Sequence, residues 1–211
     1  MRRRPLRRIG DPIPSHDGPA RETTLPREDL DKWQAIYTRG GGPPADPSPA
    51  FLALERWLPR QGRALDIASG AGRHAVWLAR RGLDVTAVDI APAGLDRAHR
   101  SAAEQGVTIQ TEARDLLCDP LPQGPWDLIV QHHFLYRPLF ETFHRHLAPG
   151  GRLVIVHPTR KNLERHARPS ARWLLDDGEL RHVPGLRTLH HHEDWNAAGR
   201  HEVSWVGERS R

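Results

Sequence analysis

Three aspartates and a pair of histidines stand where short apolar runs of the chain end. Asp66 lies within the run from Ala64 to Ala68, Asp89 closes Val85 to Val88, and Asp115 follows Val107 to Thr111. Gln131, His132 and His133 follow Trp126 to Val130. Short apolar runs bounded by turn residues read as buried strands. A carboxylate at a strand tip can accept from a ligand's hydroxyl or amino groups, and an imidazole takes a proton near neutral pH. Between the first two aspartates comes the turn Gly70-Ala71-Gly72, then Arg73 and a helical pattern of Ala75, Leu78 and Ala79 that stops at Gly82. The glycines let the backbone come close to a ligand, and the helix start offers free N–H groups. The acid on the second strand stands where such units hold a ribose diol. Residues 63–89 therefore read as a nucleoside-cofactor site.

Gly70 to Ala75 fits the dinucleotide pattern G-x-G-x-x-G/A. Asp66 argues for a different ligand. It lies four residues before Gly70, where a dinucleotide fold keeps an apolar residue, and a carboxylate near a sheet centre is costly without a partner. A cationic ligand, or an ordered water beneath it, would supply one. S-adenosylmethionine (SAM) carries an ammonium and a sulfonium. The pattern D-x-A-x-G-x-G from Asp66 to Gly72 resembles motif I of class I SAM-dependent methyltransferases. The longer run D-I-A-S-G-A-G-R-H-A-V-W-L-A is similar to the small bacterial tellurite-resistance and thiopurine methyltransferase-like branch, with Ala68 where many members have Gly.

The resemblance implies an α/β fold: a Rossmann-like seven-stranded mixed sheet flanked by helices, its last strand antiparallel. It implies SAM as cofactor, held along the strand tips by Asp66, Ala68, Gly70, Gly72, Asp89, Ile90, Asp115, Leu116 and Gln131. Asp115 would reach the adenine amino group, against the plainer reading of a turn aspartate. Arg73 would meet the SAM carboxylate; the alternative is a surface arginine, awkwardly placed near a helix N-terminus. The segment W-Q-A-I-Y-T-R-G-G-G-P-P is similar to the family's covering helix, which brings Trp33 and Tyr37 over the cofactor. Aromatics at helix spacing also serve as plain core.

The fourth strand delivers His132 and His133 to the place of the methyl acceptor, which makes them the candidate catalytic residues. Adjacent residues leaving a strand point to opposite sides, so one of the two is expected to face the methyl group. The D/N-P-P-Y motif of amino-directed nucleic-acid methyltransferases is absent after this strand, as is a Pro-Cys nucleophile. A small-molecule acceptor is expected: a thiol, a metalloid or a phenol. His190 to Asp194 (H-H-H-E-D) matches no known ligand spacing, and no metal is expected.

The order of elements follows from caps and breaks. Helices are expected over Pro26–Thr38, from Ser48 as N-cap through Leu58, over Ala91–Gln105, from Pro138 to Leu147, and from Ser170 to Leu175. A fifth strand runs from Arg152 to His157, Arg160 to Pro169 is an exposed loop, and Leu186–Leu189 and Glu202–Trp205 pair through Asn196 to Gly199. The 211 residues suit one domain, 26–208, behind an Arg/Pro-rich tail at 1–25 that is expected to be disordered. Five of the first eight residues are arginine, and from Ile9 onward bases and acids number 26 each, so a nucleic-acid partner is not indicated. Cys118 is the only cysteine, which fits a reducing cytoplasm. The basic N-terminus lacks the apolar stretch of a secretory signal, and no membrane partner is expected. Two other classes stay open: a nicotinamide-dependent oxidoreductase, and a non-catalytic SAM-binding protein acting on nucleic acid through its tail.

Overall fold

A computed structural model of the chain describes residues 26–43 and 45–211, so the expected tail falls outside the described residues. Helix α1 (Pro26–Thr38) and the short α2 (Pro49–Leu52) precede strand β1 (Arg63–Ile67), α3 (Arg73–Arg80), β2 (Asp84–Asp89), α4 (Pro92–Glu104) and β3 (Gln110–Ala113). Then follow β4 (Trp126–His132), α5 (Phe143–His146), β5 (Leu147–Pro158), β6 (Leu186–Trp195) and β7 (His201–Arg209). The strands form one sheet in the order β3-β2-β1-β4-β5-β7-β6. β1 to β5 pair in parallel, and β7 runs antiparallel to both of its neighbours. This is the mixed seven-stranded sheet expected from the sequence, with the last strand antiparallel.

Alternation along the strands builds a core on each face. Ala64, Val85, Leu128, Val130, Val154 and Val206 meet Phe51, Leu54, Leu78 and Ala98 from α2, α3 and α4. Leu65, Ile67, Ile129, Leu153, Ile155 and Trp205 meet Phe143, Leu175 and Leu180 on the other. The strand order reverses between β1 and β4. Such a switch point opens a crevice at the carboxyl ends of the strands.

Several elements differ from expectation, each for a local reason. The helix after Ser48 lasts four residues and gives way to a 3₁₀ turn at Glu55–Trp57, whose Trp57 carbonyl accepts from Arg152. β3 begins at Gln110 rather than Val107, because the Val107 N–H turns back to Ala102 O and closes α4. β4 runs on to His132, because Gln131 and His132 pair with Ile155 and Val156. The helix expected from Pro138 is a 3₁₀ turn (Arg137–Glu141) followed by α5, since Leu147 leaves it to pair with Trp126. The stretch expected as the helix Ser170–Leu175 is a single 3₁₀ turn at Ala171–Trp173. In the expected loop 160–169, residues 160–164 form another 3₁₀ turn with Asn162 buried. Strands β6 and β7 are longer than their apolar stretches.

Gly72 sits at φ +75°, and a Cβ there would lie 2.5 Å from Ala98 Cβ of α4. The Gly72→Ala variant is expected to lose about 2–4 kcal/mol, from left-handed strain and overpacking together. Adding Ala98→Gly should recover part of that loss although it costs about 1 kcal/mol by itself. Denaturant unfolding of both variants and the double variant measures this coupling, and strict additivity would rule the contact out.

Candidate functional site

The turn after β1 has an unusual backbone. Ala68, Gly70 and Gly72 all have positive φ, at 53°, 57° and 75°. For alanine that conformation costs about 1–2 kcal/mol, a strain of the kind that collects at functional sites. Helix α3 starts at Gly72, which has no side chain to cap it. Asp66 does this from inside β1: its Oδ2 accepts the Ala75 N–H at 3.1 Å. The buried carboxylate thus has a partner in a helix start. Burial pushes its pKa up to about 7, with the Ala75 amide and Arg73 pulling the other way.

Asp89 is also engaged by backbone. Its Oδ2 accepts from Gly70 N at 2.7 Å and its Oδ1 from Ala91 N at 2.9 Å. Each carboxylate oxygen keeps a further lone pair. Burial raises the Asp89 pKa, and these amides oppose the rise. Asp115 Oδ1 accepts from Leu117 N at 3.0 Å, but Oδ2 is buried with no partner, as is Ser69 Oγ. Tyr37 lies across the turn: a Cβ on Gly70 would be 2.2 Å from its Oη, and a Cβ on Gly94 3.0 Å from its ring. Burial and the neighbouring Asp89 push the Tyr37 hydroxyl up to about 12. Trp33 stacks on Tyr37 with ring centroids 5.9 Å apart.

Four imidazoles continue from this turn across the tips of β4 and β5. The ring centroids of His74 and His132 are 4.5 Å apart, those of His132 and His133 4.1 Å, and those of His133 and His157 6.3 Å. Arg73 Nη2 donates to His132 Nδ1 at 3.4 Å, so the proton sits on Nε2, 2.7 Å from Ser48 Oγ. His74 Nε2 accepts from Ser48 N at 3.4 Å. Burial lowers the pKa of His74 to about 3, that of His157 to about 4, and that of His132 well below the usual value; neighbouring cationic side chains add to each. His133 differs. Its Nε2 stands 2.8 Å from Glu202 Oε1, and Glu202 Oε2 accepts from Asn196 Nδ2 at 2.8 Å. Burial opposes ionisation of Glu202, yet these bonds hold its carboxyl below the usual range. With Nε2–H donated to the carboxylate, His133 Nδ1 is left as an acceptor.

These groups surround a cleft of about 700 Å³, a volume usual for small-ligand sites. Of the residues expected at the site, Trp33, Tyr37, Ala68, Gly70, Arg73, Asp89, Ile90, Asp115, Leu116, His132 and His133 line it. Asp66, Gly72 and Gln131 do not. Asp66 faces α3, Gly72 faces α4, and Gln131 donates Nε2–H to Phe134 O at 2.6 Å, bracing the bend after β4. Both histidines reach the cleft, contrary to the expected alternation, because His133 adopts φ +56° and leaves the pleat. Ser48 was legible only as a helix cap. His157 was legible as the tip of the fifth strand, one of the five tips expected to converge on the ligand; His74, Trp173 and Glu202 carried no signal that set them apart from structural residues.

Residues 64–151 match the family model of the methyltransferase domain. An uncharacterized methyltransferase of Mycobacterium tuberculosis is 33% identical over 159 residues, which cover 73% of this chain and 62% of that protein. The chain spans roughly half to three fifths of the length of the curated relatives it matches first. Among solved structures, one from work on the conversion of a disulfide bond into a thioacetal group during echinomycin biosynthesis superposes with a TM-score of 0.68 at 21% identity, covering 86% of this chain and 91% of the other. TehB from Haemophilus influenzae superposes with a TM-score of 0.64 at 17% identity, covering 84% and 67%. No helix among the described residues is long and apolar enough to cross a membrane.

The raised pKa of Asp66 has a measurable consequence. Folded, it holds a proton to about pH 7, whereas the unfolded chain releases it near pH 4. Its contribution to stability therefore falls as pH rises through that window. Asp66→Asn keeps an oxygen for the Ala75 amide and removes the titration. The variant should gain on the parent by about 2–4 kcal/mol in unfolding free energy between about pH 4 and pH 8. The buried histidines act in the opposite sense in both proteins, so only the difference between the two curves reports on Asp66. Parallel curves would mean that Asp66 ionises as an ordinary carboxylate.

Proposed function

We propose that the chain is a class I SAM-dependent methyltransferase whose residues 26–208 act as one enzyme domain that methylates a small molecule; the methyltransferase-domain match over residues 64–151, the relative at 33% identity and the shared fold support this reading. Asp115 Oδ2, without a partner among the described residues and in a wall of the same cleft as Asp89, carries this reading. The two acids at the ends of β2 and β3 suit an adenosine: Asp89 has lone pairs for two ribose hydroxyls, and Asp115 has one for an exocyclic amino group. Ser69 Oγ offers a further unused group in the same wall. Arg73 would meet the SAM carboxylate, and Trp33 and Tyr37 would cover the cofactor. When bound, SAM supplies an electrophilic methyl group on a sulfonium.

The chain's own part is to align the acceptor, exclude water and remove a proton. Of the two candidate catalytic residues, His133 suits the proton. Its Nδ1 is free, and Glu202 stabilises the imidazolium that forms there. His132 has both nitrogens engaged and supports Arg73. A thiol or phenol acceptor needs His133; an already ionised metalloid does not. Cytoplasmic residence suits a chain with one exposed cysteine, Cys118.

Calorimetry with S-adenosylhomocysteine (SAH) tests the cofactor site. Asp89→Ala and Asp115→Ala should each weaken binding by about tenfold to a hundredfold, the loss of one charged hydrogen bond or a pair. Unchanged affinity in a folded variant removes that residue from the site.

Single-turnover transfer to a responsive acceptor tests the base. His133→Ala should slow the methyl step by about 10²–10⁴ while SAH affinity stays within a few-fold. His132→Ala should chiefly weaken cofactor binding, through Arg73. A near-parental rate for His133→Ala would leave alignment alone as the mechanism.

A further inference from the structure

The lining of the cleft changes along the sheet. Its lining carboxylates, Asp29, Asp89 and Asp115, all lie toward α1, β2 and β3, where the cations Lys32, Arg73 and Arg114 also line it. Beyond the histidine row, over β5 and β7, the lining among the described residues holds cations but no carboxylate. It holds His166, Arg168 and Arg200 among Phe134, Pro158 and Trp173. Neighbouring arginines are occupied: Arg160 pairs with Asp176, and Arg165 lies over the Trp195 ring. Arg168 and Arg200 have no acidic partner within 4.0 Å among the described residues. Glu202, the nearest acid in sequence to Arg200, is held by His133 and Asn196. The two arginines belong to separate segments, which His166 joins through a 2.8 Å bond from Nε2–H to Gly199 O.

His157 adds an independent observation. It is 3% exposed and lies in the cleft wall. Its Nε2–H donates to Trp173 O at 2.9 Å, which fixes the tautomer and leaves Nδ1 a bare acceptor. That Nδ1 is buried without a partner. A buried acceptor with nothing to accept costs stability, and a ligand's O–H or N–H would remove the cost. The His157 ring centroid lies 6.3 Å from that of His133.

We propose that this end of the cleft is an acceptor subsite for a small aromatic acid, whose anionic group meets Arg168 and Arg200 and whose hydroxyl or thiol donates its one proton to His157 Nδ1, with His133 beside it. The flat apolar faces of Phe134, Pro158 and Trp173 suit a planar ring between the two polar ends. A guanidinium pair favours a carboxylate over a neutral group of the same size. His157 is a specificity residue in this arrangement, because it accepts from the substrate and carries no proton to give. The assignment rests on the methyltransferase reading for its biological sense, but binding at the subsite is measurable without it.

Three probes separate the parts: 4-hydroxybenzoate, its neutral amide 4-hydroxybenzamide, and 4-methoxybenzoate, which lacks the donor. Calorimetry on the full chain, with and without SAH, should show 4-hydroxybenzoate binding at least about tenfold more tightly than either relative. In Arg168→Ala/Arg200→Ala, both positions being exposed, the acid and the amide should come within a few-fold of each other. In His157→Phe, the hydroxy and methoxy acids should do so. Equal binding of the three probes, no binding of any, a preference that survives in the arginine variant, or tighter binding of selenite than of 4-hydroxybenzoate would overturn the assignment. Should His157→Phe fail to fold, the arginine variant and the three probes on the parent still decide it. Failure of the chain to bind SAH, with the probe preferences intact, would remove the methyltransferase reading and leave the subsite standing.

Discussion

The Asp89 carboxylate joins three elements through two hydrogen bonds. Gly70 N–H reaches one oxygen from the turn after β1, and Ala91 N–H reaches the other from the entry to α4. A buried carboxylate is tolerated only when hydrogen bonds replace its water. These amides do that, and in doing so fix the turn against α4. The α4 entry has no side-chain cap of its own; Gln34 of α1 accepts from Ala93 N at 3.0 Å. That bond brings α1 across the turn and seats the Tyr37 ring on Gly70 and Gly94. The wall of the cleft at this end thus follows from one buried carboxyl side chain and the amides it needs.

Directional hydrogen bonding governs the other end. A neutral imidazole has one donor and one acceptor, so each partner fixes the role of the opposite nitrogen. Arg73 forces His132 to donate toward Ser48, the Trp173 carbonyl forces His157 to offer Nδ1, and Glu202 forces His133 to do the same. Burial keeps His74, His132 and His157 neutral at physiological pH. His133 alone in the row meets a carboxylate, that of Glu202. Adjacent residues of one type therefore do different work because their partners differ, and those partners come from α2, α3 and β7.

The cofactor half was legible because its signals are local. The turn needs glycine at given positions, the acids must follow the strands directly, and helix and strand periods show in a dozen residues. The sheet, its antiparallel last strand and the SAM class followed from these. A carboxylate within a strand needs a partner, which the sequence shows for Asp66, but the amide that serves lies nine residues on and only the folded turn supplies it. The histidine end of the cleft was mostly illegible. His157, Trp173, Arg168, Arg200 and Glu202 are scattered over some forty-five residues, from the tip of β5 through irregular chain to β7, without periodicity to read.

What the sequence by itself determined is the β-turn-α-β unit, the order of its acids and the chemistry they serve, because backbone sterics and strand tips act over a few residues. What only the tertiary structure decided is how the histidines are hydrogen-bonded and which groups line the far end of the cleft. The strand-alternation argument admitted one histidine; a single residue at φ +56° admitted both, and a carboxylate 69 positions away distinguished them. Tautomer, protonation and charge pairing depend on contacts between distant segments, and a linear pattern carries no record of those distances.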